Sequence, residues 1–101
     1  MAVNIQYFTP DVSTGTSAGV ASAAVALPNA ADALLYLVNL GPNTISFKLG
    51  TTNAVSVTTS TGCALLPGQA LIVGAQGMTH IATIAHGCLG MGSVINMTSG
   101  N

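Results

Sequence analysis

The sequence predicts an all-β domain, one small β-sandwich or barrel of about eight strands. Three observations predict it. The usual surface helix formers are missing: among 101 residues there is no Glu, no Arg and a single Lys, and these side chains supply most exposed helical positions. Thr, Val and Ile recur in short runs, the composition of strands. Gly, Pro and Asn interrupt the runs at intervals of roughly eight to twelve residues, the spacing of a sandwich or barrel.

The elements follow in order. AVNIQYF (2–8) is the first strand and stops at Thr9-Pro10-Asp11; a Ser/Thr/Gly loop follows. GVASAAVAL (19–27) is Ala-rich, but its β-like flanks and Ser22 favour a strand over a helix; it ends at Pro28-Asn29. ALLYLVNL (33–40) is the most hydrophobic segment. Its faces are both apolar, Leu34, Tyr36, Val38 and Leu40 on one and Leu35 and Leu37 on the other, as in a sheet covered on both sides. Leu40-Gly41-Pro42-Asn43 turns the chain, and TISFKLG (44–50) is expected to pair back as a hairpin with Lys48 outward. AVSVTT (54–59) reads as a weak edge strand. CALL (63–66) runs into the turn Pro67-Gly68, and QALIVGA (69–75) leaves it. MTHIATIA (78–85) follows Gln76-Gly77, and CLGMGSVINM (88–97) closes the domain. The chain is long enough for one core. It divides into an N-terminal arm and first strand (1–17) and a sandwich domain (18–101).

Charge bounds the function. Asp11, Asp32 and Lys48 are the only formally charged side chains, 3% of the chain against about 25% in an ordinary soluble domain. Surface charge keeps small domains soluble and apart, so a chain without it is expected to have its surface covered, as a subunit of an assembly. One Lys and no Arg exclude a phosphate-backbone interface with nucleic acid. No apolar run approaches the ~18 residues of a membrane span, and the N-terminus lacks the cationic start of a secretory signal. No membrane partner is expected, and synthesis in a cytoplasm is.

Chemistry-bearing residues are sparse. His80 and His86 on one extended strand would stand roughly 20 Å apart, too far to share a metal, and Cys63 and Cys88 lack zinc-type spacing. Two reduced, half-buried thiols are the expected state. The two acids are 21 positions apart in presumed loops, without the register of an acid–base pair. HGCLGMGS (86–93) has neither the Lys nor the helix of a phosphate cradle. No catalytic residue, metal or cofactor is expected, and the chain is not read as an enzyme.

From Ala33 to Ser93 the punctuation resembles that of small tailed-bacteriophage virion proteins of the head-decoration (cement) type. The matching pieces are Asn39 and Gly41, Leu49-Gly50, Leu66-Pro67-Gly68, and Thr79-His80-Ile81-Ala82 with Ile84. The resemblance implies a single β-sandwich/jelly-roll-like domain, clustered with itself, often as a trimer, on a virion surface against the major capsid protein. It carries no catalytic residues. The expected function is then to stabilise a head lattice by burying apolar surface between coat subunits. The expected contact residues are Tyr7 and Phe8 on the arm, Val20 and Ala24 on the flat Ala/Val strand, and Leu35 and Leu37 on the hydrophobic one. The alternatives are a carbohydrate- or receptor-binding head-fibre module, for which an aromatic platform is lacking, and a tail or collar component.

Overall fold

The computed structural model describes residues 8–19, 21–86 and 93–101. Eight strands lie among them: β1 (Pro10–Ala18), β2 (Ala23–Ala26), β3 (Leu34–Gly41), β4 (Ile45–Gly50), β5 (Cys63–Leu65), β6 (Ala70–Gly74), β7 (His80–Ala85) and β8 (Ser93–Gly100). They form two antiparallel four-stranded sheets, ordered β1-β8-β3-β6 and β2-β7-β4-β5. This interleaved order is that of a jelly roll. The all-β, sandwich-type prediction holds.

Alternation decides which side chains meet between the sheets. Leu35 and Leu37 of β3 and Ile95 and Met97 of β8 face Ile45 and Phe47 of β4, Leu65 of β5 and Ile81 and Ala85 of β7. Leu27 and Ala75 close the ends, with Val25, Leu49, Leu71 and Val73 at the margins. Full burial of one such Leu or Ile is worth about 1.5–3 kcal/mol.

Asn39 is fully buried in this apolar layer. Its Nδ2 donates to the main-chain oxygens of Asn43 and Leu65, both at 2.8 Å. Its Oδ1 accepts from the Gly41 N–H and the Ser93 hydroxyl, both at 2.9 Å. A carboxamide has two donors and two acceptor sites, and here all four are used. The side chain thereby ties β3 and β8 of the first sheet to β5 of the second.

Four expectations are corrected. The segment read as a Ser/Thr/Gly loop is β1, which pairs with β8 along its length; the edge position accepts Pro10 as its first residue and tolerates Gly15. The division at residue 17/18 therefore falls inside a strand. Residues 2–7 of the expected first strand lie outside the described residues, and Phe8 precedes β1.

The expected hairpin does not form, because β3 and β4 belong to different sheets. Gly41, at φ +89°, and the Asn39 bonds carry the chain across the sandwich instead of back along the same sheet. Pro67-Gly68 and Gln76-Gly77 are turns of the same crossing kind. Among the described residues of GVASAAVAL, Ala23–Ala26 form a strand.

Residues 54–59 form no strand. Val57 N bonds to the Ser22 hydroxyl at 3.0 Å rather than to a ladder carbonyl. Val55 packs over Gly50, where an added Cβ would lie 2.6 Å from it. Gly50 and Lys48 share the outward side of β4, so this crossover rests on the outside of the second sheet. Val57 is buried there, apart from the cluster between the sheets.

Candidate interaction surface

The two sheets differ in what covers them. The β4–β5 crossover lies on the second. On the first, the outward residues are Leu34, Tyr36, Val38 and Leu40 of β3, Ala70 and Ile72 of β6, Val94, Asn96 and Thr98 of β8, and Ser13, Gly15 and Ser17 of β1. The register aligns them in rows: Ser13, Thr98, Tyr36 and Ile72 in one, Gly15, Asn96, Val38 and Ala70 in the next. None of them is charged. Leu40 is 63% exposed and Val94 43%, while Leu34, Tyr36, Val38 and Ile72 are half-buried. Exposed hydroxyls and an amide bond one another at the β1 side, Ser13 to Asn96 and Thr98 to Ser13, each at 3.2 Å.

Phe8 lies on this face. Its ring is 5.9 Å from that of Tyr36, tilted by 35°, a favourable aromatic arrangement. Gly100 makes room for it, since a Cβ there would meet the Phe8 ring at 2.8 Å and the Thr9 oxygen. Thr9 and Asn101 exchange main-chain hydrogen bonds at 2.6 and 3.1 Å, which fixes where the arm meets the sheet. Phe8, Pro10, Tyr36 and Thr98 line a cleft of about 270 Å³. A second hollow, about 470 Å³, lies at the other end of the sheet between Ser17, Gly41, Pro42 and Val94.

Phe8 is thus placed against the sheet. Ala24 is half-buried on β2, an edge strand. Leu35 and Leu37 are both 0% exposed; they face the opposite sheet, and the alternate row of β3 is the one open to a partner. Tyr7 and Val20 lie outside the described residues. The outward residues of β3, Leu34, Tyr36, Val38 and Leu40, belong to the strand expected to make contacts but are the alternate set to Leu35 and Leu37. Their signal was the two-faced hydrophobicity of ALLYLVNL. Alternation places Asn39 with Leu35 and Leu37, and a polar residue ordinarily marks the outer face.

The imidazoles do not converge. His80 Nδ1 is 2.8 Å from the Thr79 hydroxyl at the start of β7. His86, just past its end, has Nε2 2.6 Å from the buried Ser46 hydroxyl. Cys63 is exposed rather than half-buried, and Cys88 lies outside the described residues. No group of three or more His, Cys, Asp or Glu comes together among the described residues.

No family model matches the sequence, and no curated protein matches it. Among solved structures, the fold is similar to that of a chain of the Bacillus endospore appendages, a family of disulfide-linked pili. The TM-score is 0.53 at 12% identity, over 97% of this chain and 91% of that one.

Proposed function

We propose that the chain is a non-catalytic structural subunit that works by burying the outer face of its β1-β8-β3-β6 sheet against other protein, and that its setting is a virion head, where it decorates and cements the coat. One observation carries the reading: that face is uncharged and apolar at its centre, while the outer side of the opposite sheet carries the β4–β5 crossover and the exposed Lys48. Burial of such a face desolvates no ion and is worth about 25 cal/mol per Å² of apolar area. Contiguous apolar surface rimmed by polar residues is the usual mark of a protein contact. The resemblance in punctuation between Ala33 and Ser93 supports the virion setting. The pilus chain of similar fold supports only the architecture.

The test is association of the purified chain with itself and with coat shells, by sedimentation in low and high salt. Binding that changes little with ionic strength is expected, since there are few charges to screen. Val38→Lys and Ile72→Lys, which place a cation in the middle of the face, should abolish it while leaving the fold intact. A chain that stays monomeric at high concentration and ignores coat shells overturns the proposal, as does binding that survives both substitutions.

A further inference from the structure

Two of the three formal charges in this chain have the same sign and meet at one place. Asp11 sits where the register of β1 shifts between Pro10 and Val12. Asp32 lies in the turn before β3 and is 7% exposed. Asn29 joins them, its side chain bonded to Asp11 and its main-chain oxygen accepting the Asp32 N–H at 3.2 Å, and each carboxyl lies near enough to act on the other.

Each acid has one oxygen satisfied by an amide. Asn29 Nδ2 donates to Asp11 Oδ2 at 2.9 Å, and Asn101 Nδ2 donates to Asp32 Oδ1 at 3.0 Å. Both amides are held in that sense, because their own oxygens accept the Ala31 and Ala33 N–H groups at 3.1 Å. Asp32 Oδ2 is left buried and without a hydrogen-bond partner. An unpaired buried oxygen on an acid is costly, more so beside a second carboxylate. The other described groups bonded at this cluster are neutral: the Ser99 hydroxyl accepts the Asn29 N–H at 3.0 Å. Lys48 points outward from β4, in the other sheet.

We propose that the space between the Asp11 and Asp32 carboxyls is a site for a hard divalent cation of the calcium class, bound by the free oxygen of each acid and completed by water. Calcium accepts irregular sets of oxygen ligands and mixed protein–water shells. The cation clamps edge strand β1 to the turn before β3 and to the end of β8. With two carboxylates, its affinity belongs to the weak class, dissociation constants of about 10⁻⁴–10⁻³ M. A proton competes for the same space when the pH is low.

The experiment uses the full chain, stripped with chelator, at neutral pH. Calcium chloride is titrated by calorimetry and thermal unfolding is followed in parallel, with sodium chloride at matched ionic strength as control. The expected result is a saturable heat and a rise in Tm of about 5–10 °C at ten times the dissociation constant. Asp32→Asn and, separately, Asp11→Asn should each abolish both signals; the exposed position of Asp11 keeps the second variant foldable. Calcium that gives no heat and no shift at about 10 mM, well above that affinity class, overturns the proposal. A shift that survives both substitutions also overturns it. Stability that follows pH alone, with no recovery on adding calcium, assigns the space to a proton and overturns it too.

Discussion

Replacing Asn39 by Ala removes the side chain that joins the two sheets. Four hydrogen bonds of 2.8–2.9 Å disappear at once. The Asn43 carbonyl keeps the Ser93 hydroxyl as a donor at 2.9 Å, so the loss falls mainly on the Gly41 N–H and the Leu65 oxygen. At a net ~0.5–1.5 kcal/mol per bond, the cost is about 2–6 kcal/mol. That is a large part of the ~5–15 kcal/mol that holds a domain of this size together. A loss near the middle of the range lowers Tm by about 15–30 °C. Asn39→Asp is the sharper probe. It keeps the two acceptors but sets a carboxylate against the Asn43 and Leu65 carbonyls, and it should cost at least as much at neutral pH. Urea unfolding followed by circular dichroism, at fixed protein concentration, measures both. The expected signature is a lower midpoint with an unchanged slope. An Asn39→Ala variant within about 1 kcal/mol of the parent refutes the assignment, because no buried network of this size is lost so cheaply.

Other substitutions and conditions test the remaining geometry. Gly100→Ala drives a methyl into the Phe8 ring and the Thr9 oxygen; it should cost about 1–3 kcal/mol and expose the Phe8 peptide to chymotrypsin, read as faster cleavage there. Burial first, and then the Asp11 carboxyl, hold Asp32 above its ordinary 3.8; the Asn29 amide first holds Asp11 below that value. The folded chain therefore takes up the Asp32 proton more readily than the unfolded chain. Its stabilising effect is complete below about pH 3.8 and is lost as pH rises through the raised pKa. The Asp11 contribution is present above 3.8 and is lost as pH falls through the lowered pKa. In chelator the urea midpoint should pass through a maximum near pH 3.8, and Asp32→Asn should remove the decline on its alkaline side. Cys63, exposed on β5, should react with a thiol reagent in the native state as fast as in urea; protection in the monomer would contradict its placement.

The sequence announced strands well and their partners poorly, for a physical reason. Strand character is local: ISFKLG and HIATIA carry their β preference and alternation within six residues, and both form where expected. Sheet membership is not local. Leu40-Gly41-Pro42-Asn43 looks like a hairpin turn, yet a buried amide bonded to Leu65 and Ser93 decides that it crosses between sheets, and those partners lie 26 and 54 positions away. The run PDVSTGTSA was legible only as loop, because an edge strand needs no apolar face of its own when β8 supplies the ladder. On β3, both rows of side chains are apolar, so the choice of inward row depended on where the second sheet stood.

In this strand order the first sheet is completed from its middle. β8 lies between β1 and β3, so among the described strands the earliest has no neighbour in its sheet until the last one arrives. Six of the eight described strands can leave the ribosome without a finished layer; β7 completes the second sheet, and the first still waits for β8. Of the strands adjacent in sequence, only β4 and β5 pair with each other. Distant closures of this kind are paid for in chain entropy before they return any stability. Folding should therefore be slow and all-or-none, and a nascent chain cut short before Ser93 should remain a substrate for proteases.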